Sequence, residues 1–337
     1  MKPRLLVVEL WGMGDLVIAT PFLRAASERY DVTLVCRPAW QDLSVRFWPQ
    51  VRVIPFLAPW TAFTGKYQLH KWPWREFFRL GRELRASKFD VGLSARWDPR
   101  DHLLLHLAGA RERLGFPRLT SKIFLTRPLA RPEPAEHRYE YWRALGRALD
   151  MDLPRRENLM PEIHTLGRTE VLLHSGAKQS VRVWPLERYR SLTARLRQKN
   201  YRVQIACDPD QRGWWLAAGE KNVAVPQTTS ALLALLDHAT AFIGNDSGPG
   251  HLAALAGVAT FTIFGPQLPE WFAPLHPHAE WMEGKPCPYK PCSDYCFFPS
   301  PHCLQTVTEA EVWRRVEPFV AREFARHAAH HQTAVLT

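Results

Sequence analysis

A glycine-rich turn early in the chain holds the first group that could do chemistry. The segment GMGD at residues 12–15 follows a short apolar run and precedes residues with helical spacing. Glycines let a backbone approach a ligand closely, and free amides at a helix start favour anions. Asp15 is open to two interpretations, a helix N-cap or a general base at the end of a strand. Because the segment is not G-x-G-x-x-G, it supports a dinucleotide site only weakly.

A second turn, in the other half of the chain, has the composition of a phosphate-binding site. The segment GNDSGPGH at residues 244–251 follows an apolar strand and opens a helix with proline in its first turn. Gly248, Gly250 and the free amides could form a nest for phosphate. Asp246 could accept sugar hydroxyls, and His251 could donate to a phosphate oxygen. An ordinary capped helix is the alternative.

A third turn supplies cations. The segment SGAK at residues 175–178 follows the first strand of the second half, and Arg182 precedes a Trp-Pro pair. Lys178 and Arg182 could neutralise a diphosphate as it leaves a substrate. The alternative is a solvated basic loop.

Four of the six cysteines lie close together near the end of the chain. Their spacing is C-x4-C-x3-C-x6-C, all within residues 287–303. Disulfides are disfavoured in a reducing compartment, and four thiolates in a proline-rich loop favour a tetrahedral, structural zinc or iron site. Reduced cysteines that only pack the loop are the alternative. The predicted ligands are Cys287, Cys292, Cys296 and Cys303.

Tryptophans and basic residues are interleaved between residues 37 and 79. Tryptophan beside Lys or Arg is typical of a membrane interface or a sugar-binding loop, and it also suits a surface that stacks nucleobases. About half of these rings are expected in the core. The predicted acceptor or membrane contacts are Lys66, Lys71, Trp72, Trp74 and Arg75, with Arg79 beside them.

Strands and helices alternate twice along the chain and must position these turns. The predicted strands are residues 5–10, 32–36, 51–56 and 90–94, then 171–174, 201–206, 223–225, 241–244 and 260–264. The predicted helices are 16–29, 74–87, 99–108 and 135–149, then 186–198, 230–238, 249–256 and 309–328, while 266–306 is predicted to be irregular. This alternation predicts two parallel-sheet domains, with ligands bound beyond the carboxyl ends of strands, in a cleft between the domains.

Composition narrows the class of protein. The 337 residues carry a net charge of +11, and 46% of them are hydrophobic. Such a chain is neither disordered nor a disulfide scaffold, and no apolar run is long enough for a membrane span or precedes a signal cleavage site, so a cytoplasmic protein is expected. Residues 1–165 hold 27 basic and 18 acidic side chains. The first half therefore has most of the excess, which predicts an anionic partner there.

Together these segments resemble glycosyltransferase family 9, the ADP-heptose:lipopolysaccharide heptosyltransferases. The similarity spans nearly the whole chain and rests on GMGD with Thr20-Pro21, WPLERY at 184–189, GNDSGPGHLAA at 244–254 and FGP at 264–266. It implies an α/β fold of GT-B architecture, with two Rossmann-like parallel-sheet domains facing an interdomain cleft. The implied parts are an acceptor domain at 1–165, a nucleotide-sugar domain at 166–308 with the cysteine-rich loop 286–304, and a closing helix, 309–337, that packs back on the first domain.

The resemblance also implies an inverting transfer that needs no catalytic cofactor. Asp15 aligns with the family's catalytic base, and Lys178 and Arg182 would stabilise the leaving diphosphate. Arg182 stands where many members have lysine. Asp210 is the first choice for the ribose contact and Asp208 the second, because Cys207-Asp208 replaces an expected glycine pair. The implied donor-binding residues are Gly14, Ser175, Asp210, Asp246, Ser247, Gly248, Gly250 and His251.

The implied substrates are an ADP-sugar, ADP-heptose or a related donor, and a hydroxyl of an acidic glycan such as the lipopolysaccharide inner core. The enzyme is expected in the cytoplasm, peripheral to the anionic inner membrane, with no nucleic-acid partner. The alternatives are a heptosyltransferase acting on protein hydroxyls, another GT-B enzyme such as a nucleotide-sugar epimerase, a nucleic-acid-binding protein with a four-cysteine metal site, and a family member that only binds a sugar nucleotide.

Overall fold

The fold was determined as a computed structural model that describes residues 2–62, 68–159, 167–292 and 295–335, with side chains described as far as residue 329. The chain divides into two compact units, Met1–Pro154 and Arg155–Thr337. Lys66, one of the predicted acceptor contacts, lies outside the described residues.

The first unit is a parallel sheet with helices packed against it. Its strands are β1 (Arg4–Glu9), β2 (Asp31–Cys36), β3 (Arg52–Pro55), β4 (Val91–Leu93), β5 (Glu112–Gly115) and β6 (Arg127–Pro128). Its helices are α1 (Met13–Arg29), α2 (Leu43–Phe47), α3 (Trp74–Ala86), α4 (Pro99–Leu107) and α5 (Tyr139–Ala148). Over the described residues the strand order is β3-β2-β1-β4-β5-β6.

Strand β1 lies at the centre of this sheet, and its side chains from Leu5 to Glu9 are buried. A parallel strand covered on both faces reads as a continuous apolar run rather than an alternating one. Leu6 and Val8 belong to a core cluster that also contains Trp60 and Phe77. This packing fixes the carboxyl end of β1, from which the first glycine turn starts.

The second unit is another parallel sheet. Its strands are β7 (Glu170–His174), β8 (Arg202–Ala206), β9 (Val223–Ala224), β10 (Ala239–Asn245), β11 (Ala259–Phe264) and β12 (Glu280–Glu283). Its helices are α6 (Leu186–Gln198), α7 (Arg212–Ala217), α8 (Thr229–Leu236), α9 (Gly248–Leu255), α10 (Pro269–Phe272), α11 (His302–Gln305) and α12 (Glu309–Val335). Among the described residues the strand order is β12-β11-β10-β7-β8-β9.

The final helix α12 packs on the sheet of the second unit. Val312, Val316 and Phe319 are buried in one cluster with Ile243 of β10 and Phe261 of β11. The amphipathic start of this helix thus completes the core of the second unit. The expected return of the helix to the first domain stays a prediction.

Both sheets have the same topology, which confirms the predicted α/β class. In each unit the first strand pairs with the second on one side and with the fourth on the other. The carboxyl ends of the first and fourth strands are therefore neighbours at the point where the strand order reverses, where ligands bind in such folds. The prediction that residues 266–306 are irregular was wrong in part, because β12 and two short helices lie there.

Candidate active site

Asp15 lies at the start of α1, directly beyond the carboxyl end of β1. Its Oδ2 accepts a hydrogen bond of 3.1 Å from the Gly12 N–H. Gly12 is the N-cap and Asp15 is the third residue of the helix, so the interpretation of Asp15 as the N-cap was wrong, although its carboxylate reaches back to the helix start. Its Oδ1 accepts a hydrogen bond of 3.0 Å from Nη1 of Arg96. The side chain is 21% exposed. A carboxylate has about four lone-pair sites, so this one can still accept a hydrogen bond from a substrate hydroxyl.

Arg96 is a site residue that the sequence prediction missed. It follows β4, the strand that pairs with β1, and its guanidinium carbon lies 4.3 Å from the centre of the Trp11 ring. The ring and the ion pair with Asp15 hold the guanidinium in place. A cation immediately beyond a strand that neighbours β1 is the signal that could have identified it, but this signal depends on knowing the strand order.

Glu9, the last residue of β1, adds a second carboxyl group beside Asp15. It is 2% exposed. Burial raises the pKa of Glu9 well above its usual value, and the nearby Asp15 carboxylate raises it further. The Trp11 N–H donates a hydrogen bond of 3.2 Å to Glu9 Oε1. Burial therefore disfavours ionisation of Glu9 beside the partly exposed Asp15 carboxylate.

The Asp15 carboxylate borders a concavity with aromatic walls. Trp97, Tyr141 and Trp142 line it, together with Arg96 and Arg138. The loop after β4 supplies Arg96 and Trp97, while α5 and the residue before it supply the others. Tyr141 and Trp142 are 4% and 2% exposed, so Trp97 is the ring of these three that keeps surface for a ligand.

The tryptophans of residues 37–79 are divided between core and surface. Trp48 and Trp60 are buried, whereas Trp74 is 38% exposed and Phe78 is 51% exposed. The ring centres of Trp72 and Trp74 lie 5.2 Å apart, so these rings continue from the core to the surface. The described basic members of the predicted set, Lys71, Arg75 and Arg79, are exposed.

In the second unit, Asn245 connects three loops. It is the last residue of β10 and is fully buried. Its Nδ2 donates to the Ser175 carbonyl at 2.8 Å. Its Oδ1 accepts hydrogen bonds of 2.9 Å from the Trp184 N–H and of 2.9 Å from the Tyr189 hydroxyl. This side chain, which the sequence prediction did not select, therefore fixes the turns after β7 and β10 and the Trp-Pro segment.

Asp246 and Arg182 meet beyond the carboxyl ends of β7 and β10. Arg182 Nη1 lies 3.4 Å from Asp246 Oδ2, and the exposed fractions of the side chains are 25% and 4%. Ser247 donates to the Gly176 carbonyl at 3.5 Å. The structure thus brings together the two turns that the sequence proposed for a nucleotide sugar, and it leaves the arginine more accessible than the carboxylate.

The other predicted donor residues divide into two groups. Gly248 and Gly250 lie in the first turn of α9, where Pro249 has no N–H and the Gly250 N–H donates to the Ser247 carbonyl at 3.1 Å; His251 is buried beside them. Lys178 is exposed. Gly14 lies far from these residues in the chain, in the first turn of α1 of the first unit. Gly14 lies next to Asp15 in that turn, and its predicted donor contact stays a prediction.

Ser175 has a structural role that differs from the predicted one. Its side chain is fully buried; the hydroxyl donates to Gln211 Oε1 at 2.8 Å and accepts from the Trp215 indole at 2.9 Å. The Ser175 side chain therefore joins β7 to α7 instead of facing a ligand. A small polar residue after a strand has the same sequence pattern whether it binds a ligand or joins two elements of the fold. Sequence alone therefore could not distinguish the two roles of Ser175.

Of the two candidate ribose contacts, Asp208 is the one beside the glycine turn. A Cβ added to Gly176 would lie 2.5 Å from Asp208 Cγ, so this carboxylate packs directly on the Gly176 backbone. Burial raises the pKa of Asp208, and the neighbouring Asp210 raises it further. Asp210 is exposed, in the short helical turn after β8. A side chain at position 176 would require the Asp208 carboxylate to move.

The cysteine-rich loop holds four of the chain's six cysteines. All six cysteines lie in the described part of the chain, and each is a free thiol. Burial raises the pKa of Cys292 and of Cys303. Over the described residues, no group of three or more His, Cys, Asp or Glu side chains is arranged to hold a metal ion. The predicted thiolate site at Cys287, Cys292, Cys296 and Cys303 therefore stays a prediction.

Comparison with known proteins decides the family. A family model described as glycosyltransferase family 9 (heptosyltransferase) matches residues 77–296, which is more than half of the chain. The chain belongs to glycosyltransferase family 9. It is thus a glycosyltransferase of a heptosyltransferase family. It is 26% identical over 311 residues to lipopolysaccharide heptosyltransferase 1 of Pseudomonas aeruginosa, covering 86% of each chain. It is 23% identical over 285 residues to lipopolysaccharide heptosyltransferase 3 of Escherichia coli, covering 75% of this chain and 80% of that one.

Solved structures support the same fold. A family 9 glycosyltransferase of Veillonella parvula matches with a TM-score of 0.75 at 19% identity, over 96% of this chain and 98% of that one. Escherichia coli heptosyltransferase WaaC with ADP matches with a TM-score of 0.71 at 18% identity, over 94% and 99%. The iron-containing dodecameric glycosyltransferase TibC of enterotoxigenic Escherichia coli matches with a TM-score of 0.55 at 17% identity, over 95% and 77%. These likenesses confirm the GT-B fold of the family 9 chain.

No helix among the described residues is both long enough and apolar enough to cross a membrane.

Proposed function

We propose that this glycosyltransferase moves a heptose from ADP-heptose to a hydroxyl of the lipopolysaccharide inner core, with inversion at the anomeric carbon. The observation that carries the proposal is the partly exposed Asp15 carboxylate, held by Gly12 and Arg96 at the carboxyl end of β1. The names of the relatives support the class of acceptor, and the structure of WaaC with ADP supports the nucleotide.

In the proposed reaction, Asp15 acts as the general base. It removes the proton of the acceptor hydroxyl, whose oxygen attacks the anomeric carbon of the donor on the face opposite the diphosphate. A new glycosidic C–O bond forms as the bond to the phosphate oxygen breaks, and ADP leaves with that electron pair. Arg96 orients the carboxylate through the hydrogen bond to Oδ1. Attack from the opposite face inverts the configuration.

The proposed donor site uses the second unit. Arg182, Lys178 and the Gly248 amide at the start of α9 would compensate the negative charge that develops on the leaving diphosphate. A guanidinium has five N–H donors, so the pair of Arg182 with Asp246 leaves donors for phosphate oxygens. Asp208 is proposed for the ribose contact instead of Asp210, because it lies on the Gly176 turn.

The exposed aromatic and basic side chains of α3 suggest where the acceptor approaches. Trp74 and Phe78 are exposed beside Arg75 and Arg79, a composition that suits the interface of an anionic membrane. We propose that this face lies against the cytoplasmic leaflet while the enzyme acts on a lipid-linked glycan. Binding to vesicles with anionic lipids should weaken when Arg75 and Arg79 are changed to Gln, while ADP affinity stays unchanged; the opposite pattern would contradict the assignment.

One assay separates the proposal from its alternatives. Purified enzyme is incubated with ADP-heptose and heptose-deficient lipopolysaccharide core, and the product is identified by mass spectrometry and by the anomeric coupling in its proton NMR spectrum. The proposal predicts one added heptose of inverted configuration. Heptose transfer to protein hydroxyls but not to the core would show that the acceptor is a protein. Conversion of the nucleotide sugar without an acceptor would favour the epimerase.

A further inference from the structure

A buried chain of hydrogen bonds connects the core of the first unit to the arginine that holds Asp15. The Trp60 indole donates to Asp101 Oδ1 at 3.0 Å, and the Ser94 hydroxyl donates to Asp101 Oδ2 at 3.3 Å. The same hydroxyl accepts a hydrogen bond of 3.2 Å from the backbone N–H of Arg96, whose side chain donates to Asp15. Two side chains that the proposed chemistry does not use therefore tie the loop after β4 to the core.

Ser94 lies where its hydroxyl can bond to both neighbours at once. It directly follows β4, its side chain is fully buried, and its N–H donates to the Leu114 carbonyl of β5 at 3.4 Å. A hydroxyl has one hydrogen and two lone pairs. Because the hydrogen is directed at Asp101, a lone pair is left for the Arg96 N–H two residues further on. The acid thus fixes the orientation of the hydroxyl, and the hydroxyl fixes the backbone at Arg96.

The acid at position 101 offers something that an amide of the same shape lacks. Asp101 is fully buried in the first turn of α4, and each of its oxygens accepts a hydrogen bond from a neutral group. Burying a carboxylate in this way costs free energy. An Asn side chain would carry no charge, but it has one acceptor oxygen, so either Trp60 or Ser94 would lose its acceptor. The carboxylate is therefore the group that can hold both donors.

We propose that Ser94, oriented by Asp101, is a positioning residue for the transfer reaction. It fixes the backbone of Arg96 and so holds the Asp15 carboxylate in the direction from which it removes the acceptor proton. A small displacement of a reacting group lowers the rate of the chemical step, whereas binding of a substrate to other residues is unaffected. This inference rests on the proposed function and adds to it a residue that acts through Arg96 without touching a substrate.

The kinetics of Ser94→Ala test this role, because the change removes the hydroxyl and little volume. Initial rates are measured with ADP-heptose and heptose-deficient lipopolysaccharide core. We expect kcat to fall about 10-fold, while the KM for ADP-heptose and the dissociation constant of ADP stay within about two-fold of the wild type. A role in folding alone would lower stability and leave the kcat of the folded enzyme unchanged, and that result would overturn the proposal.

Ser121→Ala is the matched control. Ser121 is 1% exposed, and its hydroxyl accepts a hydrogen bond of 3.0 Å from the Arg118 N–H and lies 3.0 Å from His102 Nδ1. This variant loses a buried hydroxyl with the same kinds of partner in the same unit, so it should be destabilised but keep the wild-type kcat. An equal loss of kcat in Ser121→Ala and Ser94→Ala would contradict a specific role for Ser94.

A double-mutant cycle shows whether Ser94 acts through Arg96. In the Arg96→Gln background, Ser94→Ala should lower kcat by less than about two-fold, because the arginine that it positions is gone. The same fold-loss in both backgrounds would overturn the proposal. If Ser94→Ala is unfolded by circular dichroism, Asp101→Asn replaces it in the cycle, and wild-type kcat in the folded Asp101→Asn would overturn the proposal equally.

Hydrogen exchange separates this inference from the proposed function. The backbone amide of Arg96 should exchange about 10-fold faster in Ser94→Ala than in the wild type, because it loses its acceptor. Unchanged exchange would overturn the inference whatever reaction the enzyme catalyses. Faster exchange in Ser94→Ala, together with a wild type that transfers no heptose, would contradict the proposed function and support the anchoring of Arg96 by Ser94.

Discussion

The two units share one topology but have opposite charges at equivalent positions. In the first unit the acid, Asp15, follows the first strand and the arginine, Arg96, follows the fourth, and the pair is 3.0 Å apart. In the second unit the arginine, Arg182, comes after the first strand and the acid, Asp246, after the fourth, at 3.4 Å. Parallel sheets of this order place both loops at the same edge, which explains why an ion pair forms in each.

The difference between the pairs lies in which partner is exposed to a ligand. Asp15 and Arg96 are nearly equally exposed, at 21% and 23%, whereas Asp246 is 4% exposed and Arg182 25%. The first unit thus offers a carboxylate as well as a cation, and the second offers mainly a cation. A carboxylate suits the removal of a proton, and a cation suits the binding of a diphosphate. The same fold is in this way adapted to the two halves of one proposed reaction.

The surroundings of the pairs differ as well. Asp15 has aromatic walls and the buried acids Glu9 and Asp101 near it, so its neighbourhood is rich in titratable groups. Asp246 follows Asn245, whose amide joins three loops through hydrogen bonds without any charge. We therefore expect pH to act mainly on the first unit and loss of hydrogen bonds to act mainly on the second.

The largest expected effect is on Asp15. Asp15→Asn should lower kcat for transfer by about 10²–10⁴-fold, because the amide cannot remove a proton but can still accept the Gly12 hydrogen bond. Initial rates of product formation measure this. Asp150→Asn, an exposed change in the same unit, should leave the rate unchanged. A rate for Asp15→Asn within a few-fold of the wild type would show that Asp15 is not the general base.

Next in size is the loss of Asn245. Asn245→Ala should lower the free energy of unfolding of the second unit by about 3 kcal/mol or more, because the Trp184 N–H, the Tyr189 hydroxyl and the Ser175 carbonyl lose buried partners. Denaturant unfolding and ADP binding are both measured, with exposed Asn222→Ala as the control. Wild-type stability in Asn245→Ala would show that the loops are held by other contacts.

A smaller effect is expected from the exposed cation of the second unit. Arg182→Ala should weaken binding of the proposed ADP-sugar donor about 10-fold, with Arg182→Lys intermediate because lysine keeps the charge alone. Isothermal titration calorimetry gives both dissociation constants. Arg190→Ala, an exposed change on α6, serves as the control. An unchanged dissociation constant in Arg182→Ala would mean that this arginine pairs with Asp246 and does not bind the donor.

A separate expectation is a pH dependence of stability in the first unit. Burial raises the pKa of Asp101 from 3.8 to about 7, with Asp98 contributing. Between these values the folded chain keeps a proton that the unfolded chain releases, so stability falls as the pH rises. Asn at position 101 cannot ionise. The stability advantage of Asp101→Asn over the wild type should therefore grow from pH 4 to about 7 and stay constant at higher pH. Parallel unfolding profiles for the two proteins would contradict this.

The sequence predicted the turns well because their signals are local. Glycines, a first-turn proline and an acid next to a short apolar run mark residues 12–15 and 244–251 without knowledge of the fold. The central strands were predicted for the same reason, since β1 and β10 are continuous apolar segments. The strands β5 and β6 were not, because they are short, charged and partly exposed.

The partners of the turns could not be predicted from local patterns. Arg96 lies 81 positions from Asp15 and meets it only because β4 pairs with β1. Asn245 looked like part of a ligand turn, and Ser175 did too, yet both side chains are buried in hydrogen bonds to the protein itself. Composition gives the polarity of a loop, but the strand order decides which loops meet.

The most direct test of the division of labour between the two units is a comparison of donor binding in Asp15→Asn and Arg182→Ala by calorimetry with ADP-heptose. The account predicts that Asp15→Asn, though inactive, binds the donor within a few-fold of the wild type, whereas Arg182→Ala binds it about 10-fold more weakly. Weakened donor binding in Asp15→Asn together with unchanged binding in Arg182→Ala would contradict the account.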